Sequence, residues 1–132
     1  MRTAFDSDVL IYAATPGHPL GEPVWAALGD TDGGRFGATL LLVELLIKST
    51  QLGDKAELQA LTACLARLTL VPLTGEIAAL AVSLAAHYRL KAPDAIHLAS
   101  AVQVGAERFV TNNRKDFASE ISELDVVHPD EM

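Results

Sequence analysis

Apolar residues along this chain fall into two rhythms. Short runs rich in β-branched and aromatic residues are bounded by turn formers: "RTAF", "RFGAT", "LTLVPL", "RFVT" and "DVVH". These read as five strands. Longer stretches between them have helical length and good helix formers. One helix is expected from about Asp8 to Ala14 and another near Pro23 to Leu28. "LLLVELLIKSTQ" follows, and a helix capped by Asp54 runs to about Arg67. "TGEIAALAVSLAAHYRL" opens on Thr74, with Glu76 in its first turn. "PDAIHLASAVQVG" closes on Gly105. "TPGHPLGEP" and "GDTDGG" are punctuation. Strands that alternate with helices predict an α/β fold, a parallel sheet covered on both faces. In such a sheet, ligands bind at the carboxyl ends of the strands, near the switch in strand order.

At 132 residues the chain predicts a single domain, residues 1–132, with a core that needs no staples. Half of it is hydrophobic and mean hydropathy is +0.27, yet no apolar run reaches the ~20 residues of a membrane span. The longest, Ala38 to Ile47, is interrupted by Glu44. "MRTAFDSDVL" carries acids where a secretory segment would be apolar. A soluble, cytoplasmic protein with no membrane association is expected. Its surplus apolar surface suggests a protein partner. The lone Cys64 reads as core and excludes a disulfide within the chain.

Charge complicates the picture. Acids outnumber bases by 17 to 10, giving −7, whereas a simple phosphate-binding surface would be basic. Either nucleic acid is not the partner, or the acids are concentrated where they recruit divalent cations. Four acids stand in apolar frames: Asp6, Glu44, Asp94 and Asp116. Each alone has an ordinary explanation. Asp6, Ser7 or Asp8 can cap the next helix. Glu44 can pair with Lys48, worth ~0.3–0.5 kcal/mol. Asp94, after Pro93, suits a helix N-terminus by ~0.3–1 kcal/mol. Asp116 can be a turn residue beside Asn112 and Asn113. Together they say more. A parallel sheet can bring all four to one edge, where they raise one another's pKa. Mg²⁺ or Mn²⁺, which prefer oxygen ligands, would relieve that repulsion.

At these residues the chain resembles a known family. "FDSDVLIY", "VELL", "KAPDAIHLASA" and "RFVTNNRKDF" stand in the order seen in PIN-domain nucleases, nearest the VapC-like toxins of type II toxin–antitoxin systems. The resemblance runs from Ala4 to Val127. It implies a three-layer α/β/α fold and Mg²⁺- or Mn²⁺-dependent cleavage of RNA to 5′-phosphate and 3′-hydroxyl ends. Carried over by motif, Asp6, Glu44, Asp94 and Asp116 become the catalytic and metal-holding acids, with Asp116 rather than the neutral Asn113 as the fourth. Ser7, Thr111 and Asn113 would support them. Arg35, Lys48, Lys91, Arg114 and Lys115 are candidate phosphate contacts, or ordinary solvated charges. His97, one turn after Asp94, reads as packing or as support behind the site. The resemblance also implies an RNA substrate, a cognate antitoxin and a homodimer; no nucleotide cofactor is expected. Two alternatives stay open: a catalytically silent interaction domain, and a haloacid-dehalogenase-like phosphatase with Asp6 as nucleophile. The second lacks a paired-acid motif in "RFVTNNRKDF".

Overall fold

The structure is a computed structural model, and it describes residues 1–117 and 120–132. Strands β1 (Thr3–Phe5), β2 (Arg35–Ala38), β3 (Thr69–Val71), β4 (Arg108–Val110) and β5 (Asp125–Val127) form one parallel sheet in the order β3-β2-β1-β4-β5. Helices α1 (Ser7–Ala14), α2 (Gly21–Leu28), α3 (Leu40–Leu52), α4 (Lys55–Leu65), α5 (Gly75–Tyr88) and α6 (Ala92–Gln103) connect the strands, and a 3₁₀ turn (Pro129–Glu131) ends the chain. The three-layer α/β/α expectation is met.

The three central strands, β2, β1 and β4, are sandwiched, so successive residues feed opposite cores. Ala4, Phe36 and Phe109 pack with Ile77, Leu84 and Leu98 under α5 and α6. Phe5 and Val110 face the other way, with Leu10, Leu28, Leu41 and Leu61 from α1 to α4. Phe109 is fully buried; cutting it to alanine would cost about 3–5 kcal/mol. Cys64 is buried in the second core, as its apolar frame predicts.

The local signals work as physical devices. The Asp54 carboxylate accepts from the Glu57 N–H at 3.1 Å, and the Thr74 hydroxyl from the Ile77 N–H at 3.2 Å. Gly53 ends α3 at φ +65°, where side chains are strained. Gly21 matters for space: a Cβ there would meet the Tyr12 carbonyl oxygen at 2.4 Å, so α2 can lie close on α1 only through glycine. Among the described residues, no helix is long and apolar enough to cross a membrane.

The strand order reverses direction at β1. Connections from β1 run out through β2 to β3; β4 and β5 are added on the opposite side. The carboxyl ends of β1 and β4 therefore flank the switch point, and Asp6 and Thr111 follow them directly.

Candidate active site

Asp6 is 4% exposed, with both carboxylate oxygens engaged. Oδ1 accepts from the Ser7 N–H at 2.7 Å and caps α1, while Ser7 Oγ lies 3.5 Å away. Oδ2 accepts from the Thr111 hydroxyl at 2.8 Å. Capping and site-building are thus one arrangement: the helix N-terminus holds the acid where the strand ends.

Asp8 lies one residue inside the same helix. Its oxygens accept from the Val9 N–H at 2.7 Å and the Asn112 N–H at 3.0 Å. Burial first, and the Asp6 charge second, push its carboxyl up to about 6 against those two amides. Asn112 in turn donates its side-chain N–H to the Tyr12 hydroxyl at 3.1 Å.

Asp94 enters from α6. Lys91 precedes the helix and Pro93 occupies its first turn. Burial, then the charges of Asp6 and Asp116, raise Asp94 to about 6; His97 and Lys91 pull the other way. Asp116 is held by its own turn: its carboxylate accepts from Asn113 Nδ2 at 3.0 Å, and its N–H donates to Asn113 Oδ1 at 3.2 Å.

Glu44 reaches the group from α3. Its carboxylate pairs with His97 Nε2, not with Lys48. The Glu44 side chain is 31% exposed and that of His97 only 1%. Burial lowers the imidazole pKa, but the Glu44 hydrogen bond and the charges of Asp6, Glu44 and Asp94 outweigh it, so His97 is raised overall. His97 is a buried cation-forming group among carboxylates.

A family model described as PIN domain matches residues 4–122. The chain belongs to the PIN-domain family. A toxin–antitoxin complex from Klebsiella pneumoniae is similar at 27% identity and TM-score 0.77, covering 98% of this chain and 99% of that one. VapBC2 from Rickettsia felis, bound to a DNA fragment from its promoter, shares the fold at 17% identity and TM-score 0.78, over 97% and 98% of the two chains. Mycobacterium tuberculosis VapC20, a sarcin–ricin loop cleaving toxin, shares it at 14% and TM-score 0.65, over 92% and 98%. The comparison with curated proteins gives no match. With Asp6 inside a PIN-domain match, the haloacid-dehalogenase-like alternative falls.

In this PIN domain the predicted acids come to one edge. The charges of Asp6 and Asp116 both act on Asp94, and Glu44 joins through His97, which also feels Asp6 and Asp94. Ser7, Thr111 and Asn113 contact them directly. The basic residues divide. Lys91 acts on Asp94. Lys48 and Lys115 are exposed, and Arg114 pairs with Asp130. Arg35 is a correction: it begins β2, at the opposite end of the sheet, where its Nη1 donates to the Leu28 carbonyl at 2.8 Å. It is occupied in ending α2 and is not brought to the acidic edge. Its place at the first residue of the strand, not beyond the last, is a readable signal.

Among the described residues no three His, Cys, Asp or Glu side chains stand close enough to hold one cation between them. The donor chemistry nevertheless fits a hard divalent ion. All the candidate ligands are carboxylate oxygens, and two acids at the edge, Asp8 and Asp94, are pushed towards neutrality by burial and by neighbouring charge. Mg²⁺ typically takes one or two carboxylates plus waters, not a full protein cage. The sequence offers Asp8 only as one of three candidate caps and does not number it among the site acids; the fold makes it a member of this group. Sequence reasoning also missed the Glu44–His97 pair.

Proposed function

We propose that this PIN domain, acting over residues 1–132 as one unit, is an Mg²⁺- or Mn²⁺-dependent endoribonuclease and the toxin of a toxin–antitoxin pair. The observation that carries the reading is the convergence of acids on the switch point, with Asp94 raised to about 6 by burial and by Asp6 and Asp116. Family membership and the likeness to VapC toxins support it.

One or two of Asp6, Glu44, Asp94 and Asp116 would ligate the ion directly, and the others would reach it through its waters. A bound divalent cation supplies an activated water and neutralises charge on a phosphodiester. The remaining work falls to the chain's own groups. Thr111 and Ser7 fix the two oxygens of Asp6. Asn113 fixes Asp116. His97 holds the Glu44 carboxylate from behind and balances part of the negative charge of the edge. Lys91, beside Asp94, is placed to meet a phosphate; Lys48, Lys115 and Arg114 are further contacts, the last after release from Asp130.

The partners follow from the same reading. An antitoxin helix with an apolar face and a basic flank would suit the groove of about 360 Å³ lined by Ile11, Ala14, Ala60 and Leu61 together with Asp54 and Glu57. Homodimerisation would cover the exposed Val43, Ile47 and Val82. The protein would act in the cytoplasm.

The test is incubation with single-stranded and structured RNA in Mg²⁺ or Mn²⁺, followed by mapping of the ends. Internal cuts with 5′-phosphate and 3′-hydroxyl ends, stopped by a chelator, are expected. No cleavage, or cleavage that survives the chelator, contradicts the reading and would favour a silent interaction domain or a metal-free enzyme.

A further inference from the structure

Thr111 is completely buried, and every polar atom it has is engaged. Its N–H donates to the Val127 carbonyl at 3.0 Å. Its hydroxyl accepts from the Asn113 N–H at 3.1 Å, which turns the hydroxyl proton towards Asp6 Oδ2 at 2.8 Å. Its carbonyl oxygen lies 2.7 Å from His128 Nδ1. A carbonyl only accepts, so Nδ1 carries the proton and the ring orientation is fixed. His128 is itself held from the far side: its N–H donates to Glu131 Oε1 at 3.0 Å, and the following Pro129 is buried. Two residues on, Asp130 pairs with Arg114. The end of the chain thus grips the 111–116 segment at two points.

We propose that His128 is a positioning residue for the acidic edge. It holds the Thr111 peptide. Through the Thr111 hydroxyl it orients the Asp6 carboxylate, and through the Asn113 N–H it sets the turn that holds Asp116. Without the imidazole, the Thr111 carbonyl loses its donor in a buried place, a situation that drives the peptide to rotate. Rotation of that peptide displaces the hydroxyl from Asp6. The simpler alternative is that the tail only closes the edge of the sheet beyond β5. The two differ in what a substitute must supply. Asparagine can place an N–H where Nδ1 stands; glutamine places it where Nε2 stands.

The test uses the full chain with His128→Ala, His128→Asn and His128→Gln, read by amide hydrogen exchange. The Asn112 and Asn113 amides, bonded to Asp8 and Thr111, report on the segment directly. Alanine and glutamine are expected to speed their exchange about tenfold, and asparagine to hold it within about twofold. The kinetic half rests on the ribonuclease reading: kcat falls about ten- to a hundredfold with alanine or glutamine, at nearly constant KM, and asparagine restores it. Unchanged exchange in His128→Ala, or equal behaviour of the asparagine and glutamine variants, overturns the proposal. Should His128→Ala fail to fold, the asparagine–glutamine pair decides. If the wild type cuts no RNA while exchange follows this pattern, the ribonuclease reading falls and the positioning role stands.

Discussion

Helix α6 carries Asp94 in its first turn at the carboxyl edge of the sheet and is capped by Val104 at the amino edge, and its two ends meet different surroundings. At the amino edge, Arg2 donates to the Val104 carbonyl and stacks its guanidinium 4.6 Å from the Phe36 ring. Arg35 ends α2 in the same way, on Leu28. Arg108 donates to the Thr3 hydroxyl at 2.9 Å. The first two cations bond helix C-termini, where dipoles favour them, and all three find an acceptor. At the carboxyl edge the dipoles favour acids just as well, but the acids exceed what the helices need. Asp6 alone caps α1, yet Asp8, Asp94 and Asp116 crowd the same edge and two of the carboxyls rise to about 6. One end of the sheet is built for stability. The other holds a charge imbalance that stability alone would remove, the pattern expected where function is placed.

The largest separation should come from Asp94→Asn. Metal-dependent RNA cleavage is expected to fall by about a hundredfold or more. The melting temperature should stay level or rise, since one repelling charge is gone. A variant that cleaves normally, or unfolds, would break the contrast. Arg35→Met should do the reverse: lose about 1 kcal/mol, or about 3–5 °C, with kcat unchanged. Loss of cleavage without loss of stability would return Arg35 to the site.

Acidity should give a smaller effect. Asp8 and Asp94 are raised from 3.8 to about 6 on folding, so they favour the folded state fully below 3.8 and lose that contribution as pH rises through 6. His97, raised from 6.5, acts in the same direction at higher pH. The ligand-free protein should therefore melt about 2–4 °C higher at pH 5 than at pH 7.5. The Asp8→Asn/Asp94→Asn double variant should flatten that slope; a flat wild-type profile would deny the imbalance.

The fold was legible in the chain because its signals are local. Asp54, Thr74 and Gly105 mark helix ends by short-range chemistry, and the five apolar runs each became a strand. The site was legible where an acid sat in an apolar frame. It was not legible where the partner is remote in sequence. Glu44 has Lys48 one turn away on its own helix, but the fold supplies a buried His97 from α6. Asp8 reads only as a candidate cap because nothing nearby announces Asn112. Nothing in the sequence pairs His128 with Thr111, a contact that exists only when β5 lies beside β4.

The most direct measurement is a pH titration of the Asp8 and Asp94 carboxyl carbons by NMR, with and without saturating Mg²⁺. Without the ion, midpoints near 6 are expected for both. With Mg²⁺ bound, the Asp94 midpoint should drop by about one unit or more, as the cation replaces the repulsion of its neighbours. Midpoints near the ordinary 3.8 in the free protein, or an Asp94 titration indifferent to Mg²⁺, would contradict a carboxylate cluster built to receive a divalent cation.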